Sequence, residues 1–132
     1  MAVEIRDIPE EMSKLTMLKG RRPDTPHDKM DAFHASLGSI NGAAMVVASF
    51  QGQSCWECHP MGEELVHIVD GETELTMMTD DGPETVTVTK GQLLVVPPGM
   101  WHQFSAPNGV TVMAATPHPS DHYYGDDPRD ET

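Results

Sequence analysis

Arginine is missing from the middle of this chain, and cationic side chains of any kind are scarce there. Six of the eight basic residues (Arg6, Lys14, Lys19, Arg21, Arg22 and Lys29) fall in the first thirty positions, leaving only Lys90 and Arg129 beyond. A formal charge of −13 repels phosphate backbones, which excludes a nucleic-acid partner. A pocket for a phosphate, dicarboxylate or sugar acid normally uses an arginine fork or a lysine. The distribution therefore predicts a neutral, modestly apolar ligand, unless Arg21 or Arg22 reaches inward. The basic cluster is otherwise read as a solvated arm. Long apolar runs are also absent, so no membrane span is expected. The charges within the first twenty residues leave no room for the apolar stretch of a signal peptide, and the cytoplasm is the expected location. Aromatic residues are few while Met numbers ten, which predicts a core of aliphatic and thioether side chains.

Cysteine is nearly absent too. Cys55 and Cys58 form a C-x-x-C, but alternate residues of a strand face opposite sides, so the two thiols point apart. A disulfide or a shared zinc site is then geometrically poor, and no second cysteine pair exists to complete one. Free thiols are the expectation, with Cys55 on the face of Glu57 and His59.

What the chain does have is turns. A length of 132 residues suits one domain with a single core. Residues 8–13 start like a short helix, with Pro9 in the first turn and acids after it. Residues 14–19 suit a short strand, and Pro23 and Pro26 mark 21–28 as an extended linker. From Ala43 onward, short strand-like runs alternate with Gly, Pro and Asp-Gly turns, the pattern of a sandwich or jelly-roll barrel. Asp81-Gly82 is the strongest hairpin signal. Gly71 and Asn108-Gly109 also read as turns. The organisation expected is an arm over 1–42 that packs on the barrel or a partner, a barrel over 43–118, and a loose acidic tail over 119–132.

Within the barrel, alternation places Glu57 and His59 on one face of a strand. A turn at Pro60-Met61-Gly62 brings up Glu64, and His102 follows the Pro97-Pro98-Gly99 turn. Two imidazoles and one or two carboxylates converging inside a small barrel suit a divalent first-row metal. Carboxylates buried without an arginine partner would otherwise be costly. Trp56 and Trp101, each one residue from an inward group, should face outward and suit a sheet-to-sheet or dimer contact. His67 should pack against another sheet or a partner. His27, His34, His118 and His122 lie in loops or tails and are given no role.

These residues resemble the cupin family, whose motifs run in outline G-x5-H-x-H-x4-E-x6-G and G-x5-P-x-G-x2-H-x3-N. His59, Glu64 and Gly71 match the end of the first, and Gly91, Pro97, Gly99 and His102 match the second. The resemblance covers about residues 43–118. It implies an all-β double-stranded β-helix, commonly dimeric, with a metal on the motif histidines and glutamate. Three positions depart from the pattern. Glu57 replaces the first histidine, Gln51 stands at the first glycine with Gly52 one place late, and Ala106 replaces the asparagine. Glu57 reads either as a fourth ligand beside His59, Glu64 and His102, or as an acid/base next to a 2-His-1-carboxylate face. The harder four-ligand set favours Mn²⁺ or Fe²⁺, with Zn²⁺ also admitted.

The function expected is a metal-dependent enzyme of dioxygenase, isomerase or lyase type acting on a small molecule. The alternative is a non-catalytic small-molecule sensor. Fold does not choose among these chemistries.

Overall fold

Alternating apolar residues separated by turn formers pair into one curled, mostly antiparallel sheet. The computed structural model describes residues 3–26 and 33–130; His27 and the end of the expected linker lie outside them. The elements are α1 (Ile8–Ser13), β1 (Leu18–Arg21), β2 (His34–Ile40), β3 (Ala43–Gln53), β4 (Trp56–Cys58), β5 (Glu64–Thr79), β6 (Gly82–Thr89), β7 (Leu93–Val96), β8 (His102–Thr116) and β9 (Asp121–Tyr123). Asp7 caps α1, its side chain accepting a hydrogen bond from the Glu10 amide at 3.0 Å. The short helix is where the Pro9-Glu10-Glu11 run put it.

The sheet is organised by β8, which lies between β3 and β5 and pairs antiparallel with both. Two turns read from the sequence do not end strands. β5 runs through Gly71, and β8 runs through Asn108-Gly109, with shifts of register where they bend. The reason is local. Gly71 (φ +74°) faces Gly109 (φ +90°), and a Cβ on Gly71 would lie 3.2 Å from Val110 Cα. Glycines at such a corner let the ladder bend without breaking. Asp80-Asp81 does close the β5–β6 hairpin, with Thr79 opposite Gly82.

The edges hold two surprises. β2, a segment without clear alternation, pairs antiparallel with β3, and β1 pairs parallel with β3. Parallel pairing requires a long connection, so nothing in the local sequence marks it. At the other end β9 pairs with β4, so the acidic tail contributes a strand instead of hanging loose.

The core contains Val66, Ile68, Leu75, Val96, Val110 and Val112, together with Phe33, Phe50 and Phe104. These rings make successive edge-on contacts, 6.4 Å and 5.9 Å between centroids. Burying each ring contributes roughly 1.5–3 kcal/mol. The thioether expectation fails: no methionine is among the buried residues described, and Met100 only packs against the cluster from its edge. Aliphatic side chains and three phenylalanine rings fill the interior instead.

Candidate metal centre and its cleft

His59, Glu64 and His102 come together because each sits where a strand meets a tight turn. His59 directly follows β4, Glu64 opens β5, and His102 opens β8. The Gly99 amide donates to the His59 carbonyl at 3.0 Å, tying the two turns together. Opposite Glu57, β8 pairs at His102. All three side chains are buried. Their donor atoms lie within 4.8 Å of one another, and the two rings are 5.2 Å apart.

The hydrogen bonds fix which atoms point inward. His102 Nδ1 donates to the Met100 carbonyl at 3.0 Å, which leaves Nε2 facing Glu64 Oε1 at 3.0 Å. In a neutral ring that Nε2 carries a lone pair, so two acceptors would face each other. A proton or a metal cation must sit between them. His59 Nδ1 is hydrogen-bonded to Ser120 Oγ at 2.8 Å. Its Nε2 is buried, 3.3 Å from Glu64 Oε2, yet out of line for a hydrogen bond. Thr116 Oγ1 donates to Glu64 Oε2 at 2.6 Å. An orphaned imidazole nitrogen, a second lone pair and an oriented carboxylate make a donor set that fits a divalent cation.

Electrostatics in the metal-free protein supply a pH prediction. Burial alone would raise the Glu64 carboxyl, but His102 and then His59 outweigh it and pull it from 4.5 down to about 2. Burial works against His102 ionising, yet the Glu64 hydrogen bond and charge prevail, and its pKa is raised above 6.5. A depressed carboxyl contributes stability above pH 4.5 that is lost as pH falls toward 2. A raised imidazole contributes stability below pH 6.5 that is lost as pH climbs through its folded value. With chelator present, this pair should therefore stabilise most between those limits, measured as melting temperature against pH. Saturating metal should remove the alkaline decline, because the ion then occupies the place of the proton.

Glu57 stands beside this group, its Oε2 3.9 Å from His59 Nε2, with 22% of its side chain exposed. It also clusters with Cys55 and His122. His122, given no role from sequence, arrives here because β9 pairs with β4 opposite Glu57. Cys55 and Cys58 are buried and form no disulfide. Burial, then the charge of Glu57, pushes the Cys55 thiol up to about 11, so it is protonated and a poor nucleophile at neutral pH.

Three sequence expectations change. Arg21, read as part of a solvated arm, is 8% exposed. Its guanidinium lies over Phe50 at 4.6 Å and Phe33 at 5.4 Å. Arg21 also lines the cleft described below, which is the condition under which the sequence admits an anionic ligand. Trp56, expected to face outward, is 4% exposed. The chain's own tail covers it, and its Nε1 donates to the Asp126 carbonyl at 3.1 Å. It is not available for a contact between subunits. His34 lines the cleft below instead of standing idle in a loop. Ser120 and Thr116, which orient His59 and Glu64, carry no recognisable sequence signal.

Beside the three ligand-type residues opens a cleft of about 340 Å³. Phe33, Phe104, Val112 and Ala114 form its apolar wall, and Glu64, Glu57 and Arg21 supply its charges. That volume lies in the range of small-molecule sites. No helix among the described residues is long and apolar enough to cross a membrane.

Comparison with known proteins agrees with this architecture. The Cupin domain family matches residues 45–116. A cupin-2 domain containing protein from Shewanella frigidimarina shares 19% identity at a TM-score of 0.56, over 64% of this chain and 79% of that one. A conserved protein of unknown function from Streptococcus pyogenes, also 19% identical, matches at 0.58 over 90% and 91% of the two chains. Hydroquinone 1,2-dioxygenase from Sphingomonas sp. TTNP3, solved with 4-hydroxybenzoate bound, is 16% identical at 0.54, over 63% and 64%. At these identities the likeness establishes the fold alone. No curated protein matches the sequence.

Proposed function

The chain belongs to the cupin family, and from that premise we propose that it is a metal-dependent enzyme acting on a small molecule held in the cleft beside Glu64. The observation that carries this reading is the buried, unpartnered Nε2 of His59. An imidazole nitrogen left without a partner costs on the order of 1–3 kcal/mol, and a bound cation removes that cost. His59 Nε2, His102 Nε2 and Glu64 would hold the ion, leaving open positions toward the cleft. Fe²⁺, Mn²⁺ and Zn²⁺ all suit two nitrogens and a carboxylate. When bound, the ion supplies a Lewis acid, or an oxygen-reactive centre if it is iron.

The chain's own residues do the rest. Ser120 and the Met100 carbonyl hold the two rings in orientation, and Thr116 fixes the Glu64 carboxylate. Phe104, Val112 and Ala114 exclude water from one side. Glu57, partly in solvent and 3.9 Å from His59 Nε2, is placed to take a proton from the substrate or return one. We favour this acid/base role over a fourth-ligand role, since Glu57 lies outside the tight group of three. Dioxygenation, isomerisation and lyase chemistry all use such an arrangement.

Elemental analysis of protein purified without a histidine tag tests the metal directly. Stoichiometric iron, manganese or zinc is expected; metal-free protein that takes up none of them on titration refutes the proposal. Glu57→Gln should keep the metal and lower turnover by about 10²–10⁴-fold. Loss of metal in that variant would instead make Glu57 a ligand. A ligand that binds wild-type protein but is never consumed, with or without oxygen, would turn the reading to a sensor.

A further inference from the structure

We propose that Arg21 is an anion-docking residue, and that the molecule bound in the cleft is a small organic carboxylate whose apolar body lies toward Glu64. This deepens the reading above by naming the substrate class, and it rests on the same cleft being the binding site.

Burying a guanidinium is costly unless its donors are satisfied. Arg21 is 8% exposed, and stacking on Phe50 and Phe33 covers only the faces of its planar group. Its five N–H donors lie in the plane, where rings offer them nothing. Among the described residues, no carboxylate comes within the 4.0 Å of an ion pair with it. Glu57 acts on it only through space. A largely buried cation that lines a 340 Å³ cleft and has no ion-pair partner among the described residues is a receptor for a planar oxyanion, which an arginine fork binds bidentately.

Its position is built, not incidental. β1 carries Arg21 to β3 by parallel pairing with Gly52. Gln51 fastens that contact, accepting from the Gly20 amide at 2.7 Å and donating to the Pro107 carbonyl at 3.1 Å. Arg21, the apolar wall of Phe104, Val112 and Ala114, and Glu64 all line this one cleft. A ligand anchored at Arg21 therefore lies in the cleft that Glu64 of the candidate metal centre also lines.

The test is calorimetric titration at neutral pH with acetate, butyrate and benzoate, each against its neutral amide. Metal-free and zinc-loaded protein are both measured. At least one acid should bind tenfold or more tightly than its amide. Arg21→Met, which keeps an apolar stem on Phe50, should weaken that acid at least tenfold, while Arg21→Lys recovers part of the loss. Unchanged near-ultraviolet circular dichroism confirms that the variants are folded. The inference is overturned if none of the acids binds, if amides bind equally well, or if folded Arg21→Met binds acids like wild type. Arg21-dependent binding to protein that takes up no metal would uphold this inference while the metal proposal fails. Zinc uptake without carboxylate binding would do the reverse, sustaining the metal centre and overturning the role given to Arg21.

Discussion

His102→Ala protein is expected to emerge from purification without its metal, and His59→Ala likewise. Each substitution removes an imidazole whose Nε2 lies close to a Glu64 carboxylate oxygen, at 3.0 Å and 3.3 Å respectively. Loss of groups that merely orient a ligand costs about 10–100-fold in metal affinity, so loss of the donor itself should exceed that range. Ser120→Ala provides the internal scale. It removes only the partner of His59 Nδ1, and should weaken affinity within the lower range while metal remains measurable. Wild-type protein at a hundredfold excess of ion over its dissociation constant should gain about 2.7 kcal/mol of stability. The histidine variants should show no such gain on adding metal. Melting temperature alone is a poor criterion, because either alanine also opens a cavity and strips a polar neighbour from buried Glu64. Metal content and the increment in melting temperature on titration are the decisive readings. Wild-type metal content in His102→Ala protein would defeat the proposed centre.

The second large effect concerns a glycine far from any ligand atom. Gly52→Ala should destabilise the fold by about 3 kcal/mol and release Arg21 from the cleft. Gly52 has φ +116°, and a Cβ there would run into the Arg21 carbonyl and lie 2.7 Å from the Arg21 nitrogen. Both atoms are backbone, so no side-chain rotation relieves the clash, and β1 must move off β3. For a chain of this size the loss corresponds to roughly 10 °C in melting temperature. Gly82→Ala separates strain from collision, since Gly82 has φ +109° but nothing within 4 Å of its would-be Cβ. It should cost about 1 kcal/mol. Equal losses in the two variants would mean that β1 is not held as described. If β1 does detach, carboxylate binding should fall in Gly52→Ala as it does in Arg21→Met, even though the arginine is still present.

Gly52 also explains a departure from the cupin pattern. Gln51 occupies the expected glycine position and the glycine comes one residue late. The register of β3 against β8 shifts between Phe50 and Gly52, so the later glycine falls where β1 crosses closest. Gln51 then uses its amide to fasten β1 to β8 at Pro107. The altered spacing builds the arginine into the wall, which motif matching could not disclose.

Legibility follows the range of the interactions. Glu57 and His59 on one strand face, the Asp80-Asp81 hairpin and the turns that deliver Glu64 and His102 are governed by strand alternation and turn chemistry within a few residues. Those features are readable, and so is a barrel with a metal-type group inside it. The abundance of methionine misleads about the core, because composition does not say which side chains turn inward, and aliphatic residues with three phenylalanines fill it. Gly71 and Gly109 look like ends of strands, but a positive φ also serves a bend, and only the facing strand reveals which.

By itself, the sequence determined a strand-rich barrel that draws His59, Glu64 and His102 together, because periodicity and turns act through neighbouring residues, and its spaced motifs carried the resemblance to cupins. Only the tertiary structure decided that Arg21 faces the cleft, that the tail covers Trp56, and that His122 and Ser120 reach the site. Those outcomes depend on β1 pairing with β3 and β9 with β4, contacts across 31 to more than 60 residues of chain. Pairing over such distances is set by which edges remain open once the barrel has closed, and no local pattern of side chains encodes that.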